Sequence, residues 1–471
     1  MRTGADDTVA AFDLDAVRAA LGGAPEAARL RPLGLGEVIT GHGALDRLPT
    51  TVHALRGNTT GPVAVLADAA RVDYRGVALT PYVLGLLTPG GSTKLTVLGP
   101  GTGGAHADEA TVERAVRAVE GASAVVTIGS GTLADLGKIA AARGGGLPHV
   151  IVQTAASVNG FADDQSVLLL DGVKRTVPSR WPDVLLIDPE IIAGAPPAMN
   201  LAGVGDLLSM YTAPADWYLA SAIGIDDTYA PSLVALVRPH GERLLELAGD
   251  VAAGAPHAVA ELADLLTLSG ITMGVAGRTA VSSGMEHTVS HLIEMAVPGN
   301  RLHGAQVSVA TVVAARTWRH VRYSIDTGRY SMRLPDPDVQ LTRITAGFDR
   351  LGDKAIAECW LSYRRKLNWL TANPNRITAL LHDRAKHAAV LDSLLVDPDR
   401  LAVALATAGV PNRFDQLDPP VTADDARWAV ANCHLMRDRF GIADLADLLG
   451  VWDDDDVDAM LAPWDKAGRW L

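Results

Sequence analysis

The sequence predicts an α/β domain built on a parallel sheet, followed by an all-α domain. Two observations carry this reading. Up to about residue 195, short β-branched runs alternate with Ala-rich helical stretches; after Pro196-Pro197 the strand signal gives way to long helical periodicity. The segments read as an N-terminal extension (1–34), the α/β domain (35–195) and the helical domain (196–471). A chain of 471 residues carries two or three domains on length alone.

The expected strands are Val63-Ala-Val-Leu, Leu95-Thr-Val-Leu, Ala124-Val-Val-Thr-Ile, Val150-Ile-Val and Val184-Leu-Leu-Ile. Each is apolar or nearly so and ends in a turn signal, the pattern of strands covered on both faces. Asp108 to Glu120 places apolar residues three and four apart, an amphipathic helix between the second strand and the third. Strand, helix, strand at that spacing is a right-handed crossover. In the second half Gly224, Pro239, Pro298 and Pro335 interrupt the helices, and Asp453 to Asp456 read as an acidic turn. A cleft between two such domains is where a ligand is expected.

Composition narrows the class. With 48% hydrophobic and 20% charged residues the chain can bury a large core. A net charge of -13 argues against nucleic acid or an anionic membrane surface as partner, while a small anionic substrate stays open. The two cysteines, Cys359 and Cys433, are far apart, which fits a reducing compartment and disfavours a disulfide framework or a thiolate zinc site. No run of 18 apolar residues occurs, and the N-terminus Met-Arg-Thr-Gly-Ala-Asp-Asp is polar. Neither a membrane span nor a signal peptide is expected, and the chain reads as cytoplasmic. A homo-oligomer is compatible with the sequence.

Two loops carry ligand chemistry. Val125 to Lys138 is a strand, a turn of Gly129, Ser130, Gly131 and Thr132, and a helix start with Asp135 one turn in. Small residues let backbone N–H groups approach a pyrophosphate, and the helix N-terminus favours anions; a plain βα turn looks similar. After the next strand, Thr154 and Ser157 offer hydroxyls for a ribose or phosphate, and Asn159 an amide for a polar substrate. A simple hydrogen-bonded loop fits equally. Asp68, past the first clear strand, is placed to accept ribose hydroxyls, or is a solvated loop acid.

The helical half holds a histidine cluster. His287 and His291 are four apart, on one helix face, and His303 opens the next helix. Asp206, read at the first turn of the first long helix of this half, supplies the natural carboxylate complement; a helix N-terminal acid is the plain alternative. One carboxylate and two imidazoles with an open position suit a catalytic divalent ion.

These segments carry a family resemblance. GSGTLADLGK (129–138), TAASVNG (154–160), GVGDLLSMYTAPADW (203–217), SGMEHTVSH (283–291), LHGAQV (302–307) and RDRFGIADLADLLG (437–450) resemble the iron-containing alcohol dehydrogenase and dehydroquinate synthase-like superfamily. Within it the sn-glycerol-1-phosphate dehydrogenases are most similar, through Ala-Asp-Trp at 215–217, Glu358 to Lys366, and Met436 to Phe440. The resemblance runs from about residue 35 to 450. It implies a Rossmann-like first domain, with Gly129 to Asp135 and Thr154 to Ser157 holding NAD or NADP. It implies Asp206, His287 and His303 as ligands of one divalent metal, zinc first, with iron or nickel as alternatives. His291 and Asp206 would contact substrate. The interval from His287 to His303 is the family's own.

The substrate end departs from the pattern. Asn159 stands where the family has an aspartate, Asp163 where it has a serine, Met210 where it has a lysine, and Ala280 where it has an arginine, with Arg278 two positions early. The expectation is hydride transfer between NAD(P)H and a ketone, on a small phosphorylated polyol of the sn-glycerol 1-phosphate and dihydroxyacetone phosphate type. A dehydrogenase for another alcohol, a sugar-phosphate cyclase and a non-catalytic relative are the alternatives. Cyclases rely on several lysines, and Lys174, counted here toward the substrate, is the sole lysine from Thr154 to Met210.

Overall fold

Six parallel strands make one sheet: β1 (Glu37–Thr40), β2 (Val63–Ala67), β3 (Thr93–Val97), β4 (Ala124–Gly129), β5 (His149–Gln153) and β6 (Val184–Ile187). Their spatial order is β1-β6-β5-β4-β2-β3. The structure, a computed structural model, describes residues 12–99, 104–170 and 173–462; the polar stretch 1–11 behind the signal-peptide reading lies outside them.

All five expected strands are present. Every residue of β2, β4, β5 and β6 is buried, so both faces need apolar side chains and no alternation shows. β3 departs from that expectation. It is an edge strand, with Leu95 40% and Val97 46% exposed, so its apolar run is not covered on both faces. β1, the opposite edge, went unread because only Ile39 of its four residues is buried. The expected crossover helix is α1 (Glu109–Ala118), capped by Asp108, whose carboxylate accepts from Thr111 N at 2.8 Å.

The strand order reverses between β2 and β4, with β3 on one side and β5 and β6 on the other. In open α/β sheets, ligands bind outside the carboxyl ends of the strands at that reversal. Asp68 leaves β2 there, and Gly129 leads from β4 into α2 (Gly131–Arg143). Gly137 lets α2 lie close on β4, since a Cβ at that position would sit 2.1 Å from Thr127 Oγ1.

The chain divides into two compact units. The sheet belongs to the first, which holds the described residues through Leu170, Lys174–Val204 and Glu246–Arg278; Gly205–Leu245 and the described residues from Thr279 onward belong to the second. Among the described residues, every regular element after β6 is helical. The helix Pro256–Ala276 is long and apolar enough to cross a membrane, and 89% of its most apolar window is buried inside the protein. Both cysteines are free and buried.

That helix holds a costly acid. Burial, then Glu261, push Asp264 up to about 7, and its Oδ1 finds no hydrogen-bond partner. A carboxyl raised above its unfolded value stabilises the fold fully below about pH 4 and loses that contribution as pH rises toward about 7. Asp264→Asn is expected to flatten the fall in Tm between those values and to melt higher than the parent at pH 8. An unchanged slope would show that the carboxyl is already ionised in the fold.

Candidate metal centre

Three helices deliver the histidine cluster and its acid. α4 (Met285–Ala296) carries His287 and His291, α5 (His303–Asp326) begins with His303, and Asp206 is the penultimate residue of α3 (Pro197–Leu207). The last placement corrects the sequence reading. Pro197 already opens the helix, so Asp206 sits at its end and not in its first turn. A carboxylate there opposes the negative end of the helix dipole, so the N-terminal-acid alternative no longer accounts for it. Gly205 permits the approach of α3 to α5: a Cβ on it would lie 2.1 Å from Gly304 O.

The side chains converge. Asp206 Oδ1 is 3.5 Å from His287 Nε2 and 3.8 Å from His303 Nε2, and the donor atoms of the three residues lie within 4.8 Å of one another. Two ligands at about 2.0–2.1 Å from one tetrahedral ion stand roughly 3.4 Å apart, so this spacing fits a shared cation. Asp206 is 1% and His287 7% exposed, while His303 is more open.

Each flanking imidazole is aimed by a carboxylate that sequence reasoning missed. His287 Nδ1 lies 3.1 Å from Glu286 Oε1, and His303 Nδ1 2.9 Å from Glu294 Oε1. A carboxylate on Nδ1 fixes that proton and leaves Nε2 as the ligating atom. Glu286 is anchored in turn by Gly284 N at 2.5 Å and Thr212 Oγ1 at 2.8 Å. Burial pulls the His287 imidazole down, but Asp206 and Glu286 outweigh it and raise it to about 9. Asp216 of the Ala-Asp-Trp motif is pushed up to about 8 by burial and then by Glu286. It accepts from Met285 N (2.9 Å), Ile442 N (3.0 Å) and Trp318 Nε1 (3.1 Å), tying the start of α4 to two other helices.

His291 stacks on His303 with centroids 5.5 Å apart and faces His287 edge-on at 6.1 Å. His291, Glu294 and His303 form a second trio with donors inside 4.8 Å. There, however, Glu294 is engaged with His303 Nδ1, and a guanidinium, Arg437 Nη2, donates to His291 Nδ1.

The residues read as nucleotide-binding lie in the first unit, around the strand reversal. Ser130 caps α2, Gly131 leaves room for Val158, and Thr154 N donates to Gly129 O at 3.1 Å, tying the two loops together. Thr132 is in the first turn of α2 and Ser157 is buried. Asp68 accepts from Ala70 N (2.8 Å) and Ala105 N (2.9 Å), so it shapes its own loop. Asp135, a turn into the helix, pairs with buried Lys138 at 3.2 Å; burial raises its pKa against the opposing pull of Lys138 and of Lys174 on the strand Val173–Pro178.

Residues 40–196 match the family model described as iron-containing alcohol dehydrogenase. The chain is 34% identical over 222 residues to glycerol-1-phosphate dehydrogenase, NAD(P)+, of Bacillus licheniformis, and 33% over 230 residues to that of Aeropyrum pernix. Each of those two matches takes in 46% of this chain, and they take in 55% and 64% of the relatives, less than two thirds of either. The fold is shared with solved structures. Thermotoga maritima iron-containing alcohol dehydrogenase aligns with a TM-score of 0.55 at 13% identity, covering 89% of this chain and 99% of that one. Rhizobium maleylacetate reductase aligns at 0.54 and 16%, covering 91% and 95%.

The departures from the family pattern have definite surroundings. Asn159 Nδ2 donates to Ser269 Oγ at 3.1 Å. Asp163 is buried and pairs with Lys138 at 2.5 Å. Met210 and Ala280 are buried apolar side chains, so neither position offers the cation of the family pattern.

Proposed function

We propose that this chain is a metal-dependent, NAD(P)-linked oxidoreductase that interconverts a secondary alcohol and a ketone. Its substrate class is a small phosphorylated polyol, of the sn-glycerol 1-phosphate and dihydroxyacetone phosphate type. The observation that carries the reading is the convergence of Asp206, His287 and His303 at single-ion spacing, each histidine backed by its own glutamate. Relatives named for glycerol-1-phosphate dehydrogenation support the substrate class.

A divalent ion held by Asp206, His287 and His303 supplies Lewis acidity toward the substrate oxygen, and a nicotinamide dinucleotide supplies or accepts hydride. Zinc suits two imidazoles and a carboxylate best, with iron or nickel accepted by the same donors. Glu286 and Glu294 orient the two ligating rings. His291, on the same helix face as His287, contacts the substrate and handles its proton. Gly129 to Thr132 and the start of α2 offer N–H groups to the pyrophosphate; Asp135, Thr154 and Ser157 line that turn, and Asp68 is placed for the adenosine ribose, which favours NAD. Asn159 and Lys174 are assigned to the substrate's polar end.

With zinc, NADH or NADPH and dihydroxyacetone phosphate, absorbance at the nicotinamide band should fall in proportion to substrate. Chelation should stop it and metal should restore it. Turnover with no net cofactor oxidation would instead indicate a sugar-phosphate cyclase. Glu286→Gln keeps the shape but weakens the hold on His287 Nδ1. Metal affinity is expected to fall about 10- to 100-fold, read by competition with a chromophoric chelator. Unchanged affinity would remove Glu286 from this role.

A further inference from the structure

Two sequence motifs without a role so far, Glu358 to Lys366 and Met436 to Phe440, meet in the second unit. Lys366, on α6 (Asp353–Ala372), is 1% exposed. Its Nζ donates to His434 O at 2.7 Å and to Arg439 O at 3.1 Å, and pairs with Asp444 at 2.6 Å. One buried ammonium therefore ties both ends of the 434–439 loop, and Asp438 N adds a bond to Ser362 Oγ on the same helix at 3.2 Å. The two arginines on this fixed loop are used differently. Arg439 donates to Ser283 O and to Thr279 Oγ1, bracing the segment that leads into α4. Arg437 donates to the His291 ring.

A guanidinium has donors only, so His291 Nδ1 must accept and the neutral ring carries its proton on Nε2. The pair thus makes a donor surface of a guanidinium and an imidazole N–H next to the cluster, since the His291 ring stacks on His303 with centroids 5.5 Å apart. Such a surface complements an oxyanion, and the arginine fork matches a phosphate in particular. The cavity on the loop's other contacts does not serve this purpose. It is lined by Arg437, Arg439, Asp216 and Asp444, is acidic on two sides, and has a volume of about 30 Å³, room for a water or two.

We propose that Arg437, presented by the Lys366-clamped loop and paired with His291, recognises the oxyanion group of the substrate and sets the preference for a phosphorylated over a neutral polyol. This rests on reading the Asp206 cluster as the reacting centre. It also offers a cation in a chain where Met210 and Ala280 remove two that the family pattern carries.

The test compares Arg437→Gln and Arg437→Lys with the parent in two measurements. One is the ratio of kcat/KM for dihydroxyacetone phosphate to that for dihydroxyacetone; the other is calorimetric affinity for inorganic phosphate. Arg437→Gln is expected to lower the ratio about 10- to 100-fold and to weaken phosphate binding by a similar factor, with Arg437→Lys between the two. Equal losses on both substrates with phosphate affinity intact would overturn the proposal and leave Arg437 as a tie to His291. So would a parent protein that binds no phosphate. If the parent oxidises no cofactor, yet phosphate affinity still drops in both variants, the anion site stands and the oxidoreductase reading falls. Arg437→Lys retains the charge, so it supplies the answer should the glutamine variant not fold.

Discussion

Asp206→Asn is expected to lower kcat/KM by about 10³-fold, equivalent to roughly 4 kcal/mol of lost transition-state stabilisation, with the fold intact. Asparagine has the shape of aspartate, so the packing around this buried side chain survives. What goes is the one anionic donor among the three, and with it the charge that lets a divalent ion leave water for an almost closed site. Bound metal, measured after dialysis, should fall together with activity, and the metal-free melting temperatures of parent and variant should agree closely. Glu286→Gln acts on the same centre from outside and is expected to be milder, because His287 keeps its lone pair and loses only its orienting partner. A variant Asp206→Asn that binds metal and turns over normally would mean that the cluster is a hydrogen-bonded packing motif, with catalysis located elsewhere.

How much of this was legible in the sequence depended on how local the signal was. β2, β4, β5 and β6 stood out because a strand buried on both faces is apolar at every position. β1, which buries a single side chain, resembles any Glu-Val-Ile-Thr stretch. His287 and His291 declared themselves through helical spacing, and His303 through its place at a helix start. Asp206 stood out as the carboxylate complement to the histidines but was misplaced within its helix. Gly203 and Gly205 dilute the helical signal there, and the structure shows why they are present: Cβ atoms would meet Ala156 O at 1.9 Å and Gly304 O at 2.1 Å. Close backbone approach is a tertiary demand with no periodicity of its own. Glu286 and Glu294 read as ordinary helical acids until the rings beside them are located. Arg437 lies 146 residues from His291, and no local pattern links the two.

Lys138→Met is expected to destabilise the fold by about 3–5 kcal/mol, through the first unit and not the metal centre. Lys138 is completely buried in α2 and stands between two acids, 2.5 Å from Asp163 and 3.2 Å from Asp135. Its Nζ also donates to Gly160 O at 2.6 Å and to Gln165 O, closing the loop that follows β5 onto the helix that follows β4. Burial alone pulls the lysine pKa down, but Asp163 and Asp135 outweigh it and hold the ammonium cationic. Methionine fills the same volume and leaves two carboxylates without their cation, together with two carbonyls that lose a donor. The departure at position 163 sharpens the test. Where the family pattern has a serine this chain has an acid, so Asp163→Ser alone should be tolerated, since Asp135 and the carbonyls still hold the ammonium. Adding Asp163→Ser to Lys138→Met should return about 1–3 kcal/mol, the coupling expected of two residues in direct contact, measured as a shift in the urea midpoint. Additive losses in the double variant would show that the charge pair contributes nothing beyond its packing, and that the glycine turn of Gly129 to Thr132 is held by the sheet alone.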